Sequence, residues 1–141
     1  MNIFGSASVA KLDTCHPDLR DIALLALSRS PYDFTVVHGW RGEDIQNALQ
    51  ESGASTKRYP NSKHNHVDGN GVPLSLALDF APWIDNDIPW SDTHIFTIVA
   101  GVFLAAAAEL EVPVTYGGDW DSDGSTQDQT LMDWGHLELK L

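Results

Sequence analysis

The sequence predicts an α+β domain, a small antiparallel sheet backed by helices. Three observations predict it. Short β-rich runs and helical runs follow one another without the strand–helix–strand regularity of a parallel sheet. The 141 residues suit one domain, 1–141, long enough to bury a core. The run Ile95 to Ala108 carries no charge but is shorter than the about 20 apolar residues that cross a bilayer, so it reads as a buried helix rather than a membrane segment.

The elements follow in order. Pro17 suits the first turn of a helix, and Leu19, Ile22, Ala23 and Ala26 continue at helical spacing until Pro31 stops the run. Phe34 to Val37 is a short strand. Glu43 to Glu51 is a second helix, ended by Gly53. Residues 52–75 form a loop rich in Ser, Asn, Gly and Pro, of a length that is usually functional. Leu76 to Phe80 is a strand. Ser91 or Asp92 caps the central helix, which runs to Leu110. Val112 to Tyr116 is a strand, an acidic loop runs to about Met132, and His136 to Lys140 is the last strand.

Eight basic against 20 acidic residues leave a formal charge of −12. That argues against nucleic acid, which needs Lys and Arg for its phosphates, and against anionic membranes. Cys15 is the only cysteine, so no intrachain disulfide forms, and it reads as a small apolar filler. The N-terminus lacks a basic region followed by a long apolar run, so no signal peptide is read.

The chemistry concentrates at His64, Asp79 and Asp133-x-x-His136. A catalytic zinc takes three protein ligands, keeps a position for water, and needs a base nearby. His136 opens a strand and Asp79 ends one, so both can project from one sheet face. His64 comes from the preceding loop, with His66 as the alternative first ligand. Any one of these histidines alone would be an ordinary surface or core residue; the set points to zinc. His16, His38 and His94 have no motif support and are read as structural.

The order of these pieces resembles the zinc peptidase family of VanY-like D-Ala-D-Ala carboxypeptidases and L-alanyl-D-glutamate endopeptidases, which has the Hedgehog/DD-peptidase fold. The likeness spans Ser30-Pro31-Tyr32-Asp33-Phe34-Thr35-Val36-Val37, Gly39-Trp40-Arg41, Ser62-Lys63-His64, Ala77-Leu78-Asp79-Phe80-Ala81-Pro82-Trp83, Gly117-Gly118-Asp119-Trp120 and Gly135-His136-Leu137-Glu138-Leu139. It is strongest to short phage endolysins that cut the L-Ala–D-Glu bond. The segment from His64 to Asp79 is longer than the family's, through an insertion at roughly Val67 to Pro73.

The resemblance implies a zinc endopeptidase acting on the peptidoglycan stem peptide. Asp133 would be the catalytic base, and Arg41 would face the substrate. Glu138 would orient a zinc-bound histidine. It further implies a monomer made in the host cytoplasm and released to the wall by a separate holin, without a wall-binding domain. A D-Ala-D-Ala carboxypeptidase and a non-catalytic Hedgehog-like zinc module remain the alternatives. Asp119, Asp121 and Asp123, followed by Gly124, match the first half of a calcium loop. Thr130 stands where an EF-hand has Glu, and Asp128 is a substitute ligand; an acidic connection without calcium is the other reading.

Overall fold

A computed structural model describes residues 2–125 and 133–141. The elements are α1 (Ser6–Leu12), α2 (Pro17–Arg29), β1 (Phe34–His38), α3 (Glu43–Glu51), a 3-10 turn (Lys63–Asn65), β2 (Ala77–Pro82), α4 (Thr93–Glu109), β3 (Val114–Tyr116) and β4 (His136–Leu139). The strands form one antiparallel sheet in the order β1-β2-β4-β3. The class is the expected one.

Side-chain alternation explains the two faces of the sheet. Leu78, Phe80, Leu137 and Leu139 point to the helices and join one core with Leu19, Ile22 and Ala26 of α2 and Val99, Phe103 and Ala107 of α4. Phe80 stacks on Phe103 at 4.4 Å between ring centroids, and Phe34 leans on Phe103 at 4.8 Å. Asp79, His136 and Glu138, the residues between, fall on the opposite face. Asp79 and His136 stand directly across from each other in the β2–β4 register. Cross-strand partners share a face and lie close, so the pairing itself brings carboxylate and imidazole together.

Three differences from the sequence reading stand out. The helix α1 was not foreseen; it is short, has no side-chain cap, and buries only Ser8 and Leu12. The loop 52–75 contains the 3-10 turn, closed by a capping box in which Ser62 Oγ accepts from the turn and the Asn65 side chain accepts from Ser62 N–H. β2 begins one residue later than expected and continues to Pro82, whereas Asp92 is the N-cap of α4, one of the two expected residues, accepting from His94 and Ile95 N–H.

Candidate metal centre

Each side chain of the centre is set by its own element. His64 lies in the 3-10 turn and is 1 % exposed. Its Nδ1 is 2.8 Å from the Gly39 carbonyl. A carbonyl only accepts, so Nδ1 carries the proton and Nε2 presents its lone pair. That Nε2 is buried and has no hydrogen-bond partner. It lies 3.3 Å from Asp79 Oδ1 without forming a hydrogen bond. A buried nitrogen without a partner is costly unless something fills its direction.

His136 Nδ1 is 3.0 Å from the same Oδ1, and its Nε2 is 2.9 Å from Glu138 Oε1. One ligand atom from each of His64, Asp79 and His136 can be chosen so that all lie within 4.8 Å of one another. Two imidazole nitrogens and a carboxylate oxygen around one point are the donor set of a three-ligand zinc site, so the residues fit that ion. His66 does not join them: it is exposed, and its Nδ1 contacts the Leu74 carbonyl at 2.9 Å.

The charges explain one another. Burial alone would raise the Asp79 pKa, but the surrounding His64, His136 and His38 hold it well below the usual carboxylate range. Burial alone would lower His136, yet its hydrogen bonds to Asp79 and Glu138 lift it to about 9. Burial opposes ionisation of Glu138 as well, and His136 and Lys63 outweigh it, bringing the carboxyl down to about 2. A cation bound at this point competes with the proton on His136.

Asp79 is held from behind. Its Oδ2 accepts from the Arg41 guanidinium and lies 3.4 Å from His38 Nδ1. Arg41 was expected to face substrate; it lines the cleft, but its NH2 is engaged with the Asp79 carboxylate. His38 was read as merely structural, and no motif pointed to it. A bulge between Val36 and His38 puts His38, not Val37, opposite Asp79. Such a bulge re-aims a side chain and breaks the two-residue alternation a sequence reader relies on.

Asp133 reaches the centre through a turn. His136 N–H donates to the Asp133 carbonyl at 3.2 Å, which folds the Asp133 side chain back to 4.0 Å from His136 Nδ1. Gly117 bridges the two ends of that turn: its N–H donates to His136 O at 2.8 Å and its carbonyl accepts from Asp133 N–H at 3.0 Å. The Asp133 side chain keeps 49 % exposure, but partial desolvation and then repulsion from Asp79 raise its pKa. A carboxyl with a raised pKa accepts a proton more readily than an ordinary one.

Above these groups lies a cleft of about 590 Å³, lined by Arg41, His64, Asp133, His136, Glu138 and Trp120 and by the segment from Gly53 to Lys57. The Trp120 ring is 5.3 Å from that of His136. Asp119, Asp121 and Asp123 bring carboxylate oxygens within 4.8 Å of one another, outside the cleft lining. Asp128 and Thr130 lie outside the described residues. Sequence reasoning gave no role to His38, Lys63 or Gln46. Their contacts join distant parts of the chain, and no local pattern marks them.

Comparison with known proteins finds relatives along nearly the whole chain. The sequence model for the phage L-alanyl-D-glutamate peptidase family matches residues 2–140. The chain is 38 % identical over 141 residues to the L-alanyl-D-glutamate peptidase of Escherichia phage T5, covering 96 % of each protein. Its structure resembles the crystal structure of the Serratia marcescens L-Ala D-Glu endopeptidase ChiX, with a TM-score of 0.76 and 26 % identity over 96 % of this chain and 88 % of the other.

Proposed function

The chain belongs to the phage L-alanyl-D-glutamate peptidase family, and from that footing we propose that it is a zinc-dependent endopeptidase cutting the L-Ala–D-Glu bond of peptidoglycan stem peptides. The observation that carries the metal is the buried, unpartnered Nε2 of His64 beside Asp79 and His136.

His64, Asp79 and His136 would hold the ion through His64 Nε2, a carboxylate oxygen of Asp79 and His136 Nδ1. A bound zinc ion supplies a Lewis acid that polarises a carbonyl and lowers the pKa of water to about 7. Asp133 takes the proton of the attacking water and returns it to the leaving amine. Glu138 accepts from His136 Nε2–H, which leaves Nδ1 facing the ligand position. Arg41 and His38 hold Asp79 through Oδ2, so Oδ1 faces the histidines. Trp120 lies beside His136 in the wall of the cleft.

Purified peptidoglycan digested with the protein should release fragments ending in a free L-Ala carboxyl and beginning with a free D-Glu amine, read by mass spectrometry. Released D-Ala instead would mean a carboxypeptidase, and no cleavage a non-catalytic module.

The reading extends to a monomer of one catalytic domain, 1–141, released to the wall through a holin; no helix among the described residues is long and apolar enough to cross a membrane. It also extends to calcium at Asp119, Asp121 and Asp123, supported by the closeness of their carboxylates. Calorimetric titration of the zinc-loaded protein with calcium tests this, and an absence of heat would remove the calcium role.

A further inference from the structure

The cations around the cleft are unequally engaged. Arg41, Lys57 and Lys63 line it. The Arg41 guanidinium is held by Asp79, and Lys63 Nζ lies 3.0 Å from Glu138 Oε2. Lys57 is exposed and makes no ion pair with a described residue. It brings to the cleft a positive charge that no described carboxylate of the protein neutralises.

Its backbone is nevertheless fixed with care. Gln46 is the one buried residue of α3, at 0 % exposure. Its Nε2 donates to Lys57 O at 2.7 Å and to Ser55 Oγ at 3.0 Å. Its Oε1 accepts from Asn65 Nδ2 at 3.3 Å and from Arg41 NH1 at 3.4 Å. Asn65 follows His64, and Arg41 holds Asp79. One buried amide therefore ties the Lys57 backbone to two residues adjoining the proposed metal ligands. A satisfied buried amide of this kind specifies a single arrangement of the parts it joins.

The substrate supplies the complement. A D-glutamyl residue whose nitrogen is in the scissile bond bears two carboxyl groups. At most one continues the chain, so a carboxylate lies a few bonds from the reacting nitrogen. At a net charge of −12 the protein repels such an anion at long range. A local cation must offset that repulsion.

We propose that Lys57 is a specificity-determining residue that receives the free carboxylate of the substrate's D-glutamyl residue. This rests on the peptidase reading above. The test is a two-by-two comparison of enzyme and substrate, using the zinc-loaded protein. The substrates are an L-Ala–D-Glu stem peptide with its free carboxylate and the same peptide with that group as a carboxamide. The enzymes are wild type and Lys57→Gln, with Lys57→Arg as the conservative variant.

Wild type should prefer the acid by about tenfold in kcat/KM, the scale of one partly exposed charge-assisted hydrogen bond. The preference should lie mainly in KM and weaken with added salt. Lys57→Gln should cut both peptides at the wild-type carboxamide level, and Lys57→Arg should keep most of the preference. A Lys57→Gln enzyme that still prefers the acid overturns the assignment, as does a wild type indifferent to the carboxamide. If wild type cuts neither peptide, the peptidase reading itself has failed, and this assignment with it.

Discussion

Replacing Gly117 by alanine asks whether Asp133 and His136, the proposed base and metal ligand, are held at one separation by packing alone. A β-carbon at Gly117 would come within 2.9 Å of Asp133 Cβ and 3.0 Å of His136 Cβ, and closer still to the Asp133 carbonyl oxygen. Ordinary van der Waals contact begins at 3.4 Å. The obstructing atoms belong to the backbone and to first side-chain carbons, so no rotamer change relieves them. The Asp133–His136 turn must retreat by about half an ångström or more, the tolerance within which a catalytic constellation works. Gly117 also hydrogen-bonds both ends of the turn, so the shift cannot spare one residue and move the other. Overpacking of this kind costs about 1–3 kcal/mol of stability, and a displacement near 1 Å costs about a hundredfold in rate. We expect Gly117→Ala to remain folded with a lowered Tm and to lose about ten- to a hundredfold in kcat. Thermal melts and initial rates on a stem peptide measure both. A kcat within twofold of wild type would refute the argument that this glycine sets the geometry.

Other expectations follow from neighbouring features. Asp133→Asn should keep the proposed zinc and the fold yet lose about a hundredfold to ten-thousandfold in kcat; wild-type rates would make Asp133 a turn residue only. His64→Ala should abolish stoichiometric zinc in metal analysis, whereas His66→Ala, altering an exposed ring outside the cluster, should retain it. Gly101 sits inside α4 with nothing within 4 Å of an added β-carbon, so Gly101→Ala should raise stability by up to about 1 kcal/mol without changing kcat; a lowered Tm would contradict this. The Cys15 thiol is 2 % exposed and burial pushes its pKa up to about 11. It should resist alkylation at pH 8 in the native protein and react fully in guanidinium; rapid native labelling would show that the site opens.

Local chemistry made part of this molecule legible. Pro17 with its apolar period and Asp92 as a cap mark α2 and α4 because those signals act within a turn or two. Asp79 and His136 were readable because strand alternation decides their face before any tertiary contact forms. His38 was not, since its position depends on a bulge that one residue of register creates. Gln46 and Lys63 were not, since their partners lie far along the chain: Lys57 and Asn65 for one, Glu138 and the Leu139 carbonyl for the other. The helix α1 was missed because seven residues with two buried side chains give no periodicity to detect.

The segment between His64 and Asp79 closes on itself. Val67 bridges Pro73, Asp68 N–H donates to Val72 O, and Leu74 N–H donates to His66 O, with Gly71 at φ +77° making the reversal. The excursion leaves and rejoins the chain at nearly one point, so His64 and Asp79 do not register how long it is. Extra residues at such a tip cost little closure entropy. The stretch from His64 to Asp79 can thus lengthen or shrink while the centre stays still, and a short tag placed at Asn70 should leave the melting temperature and kcat unchanged.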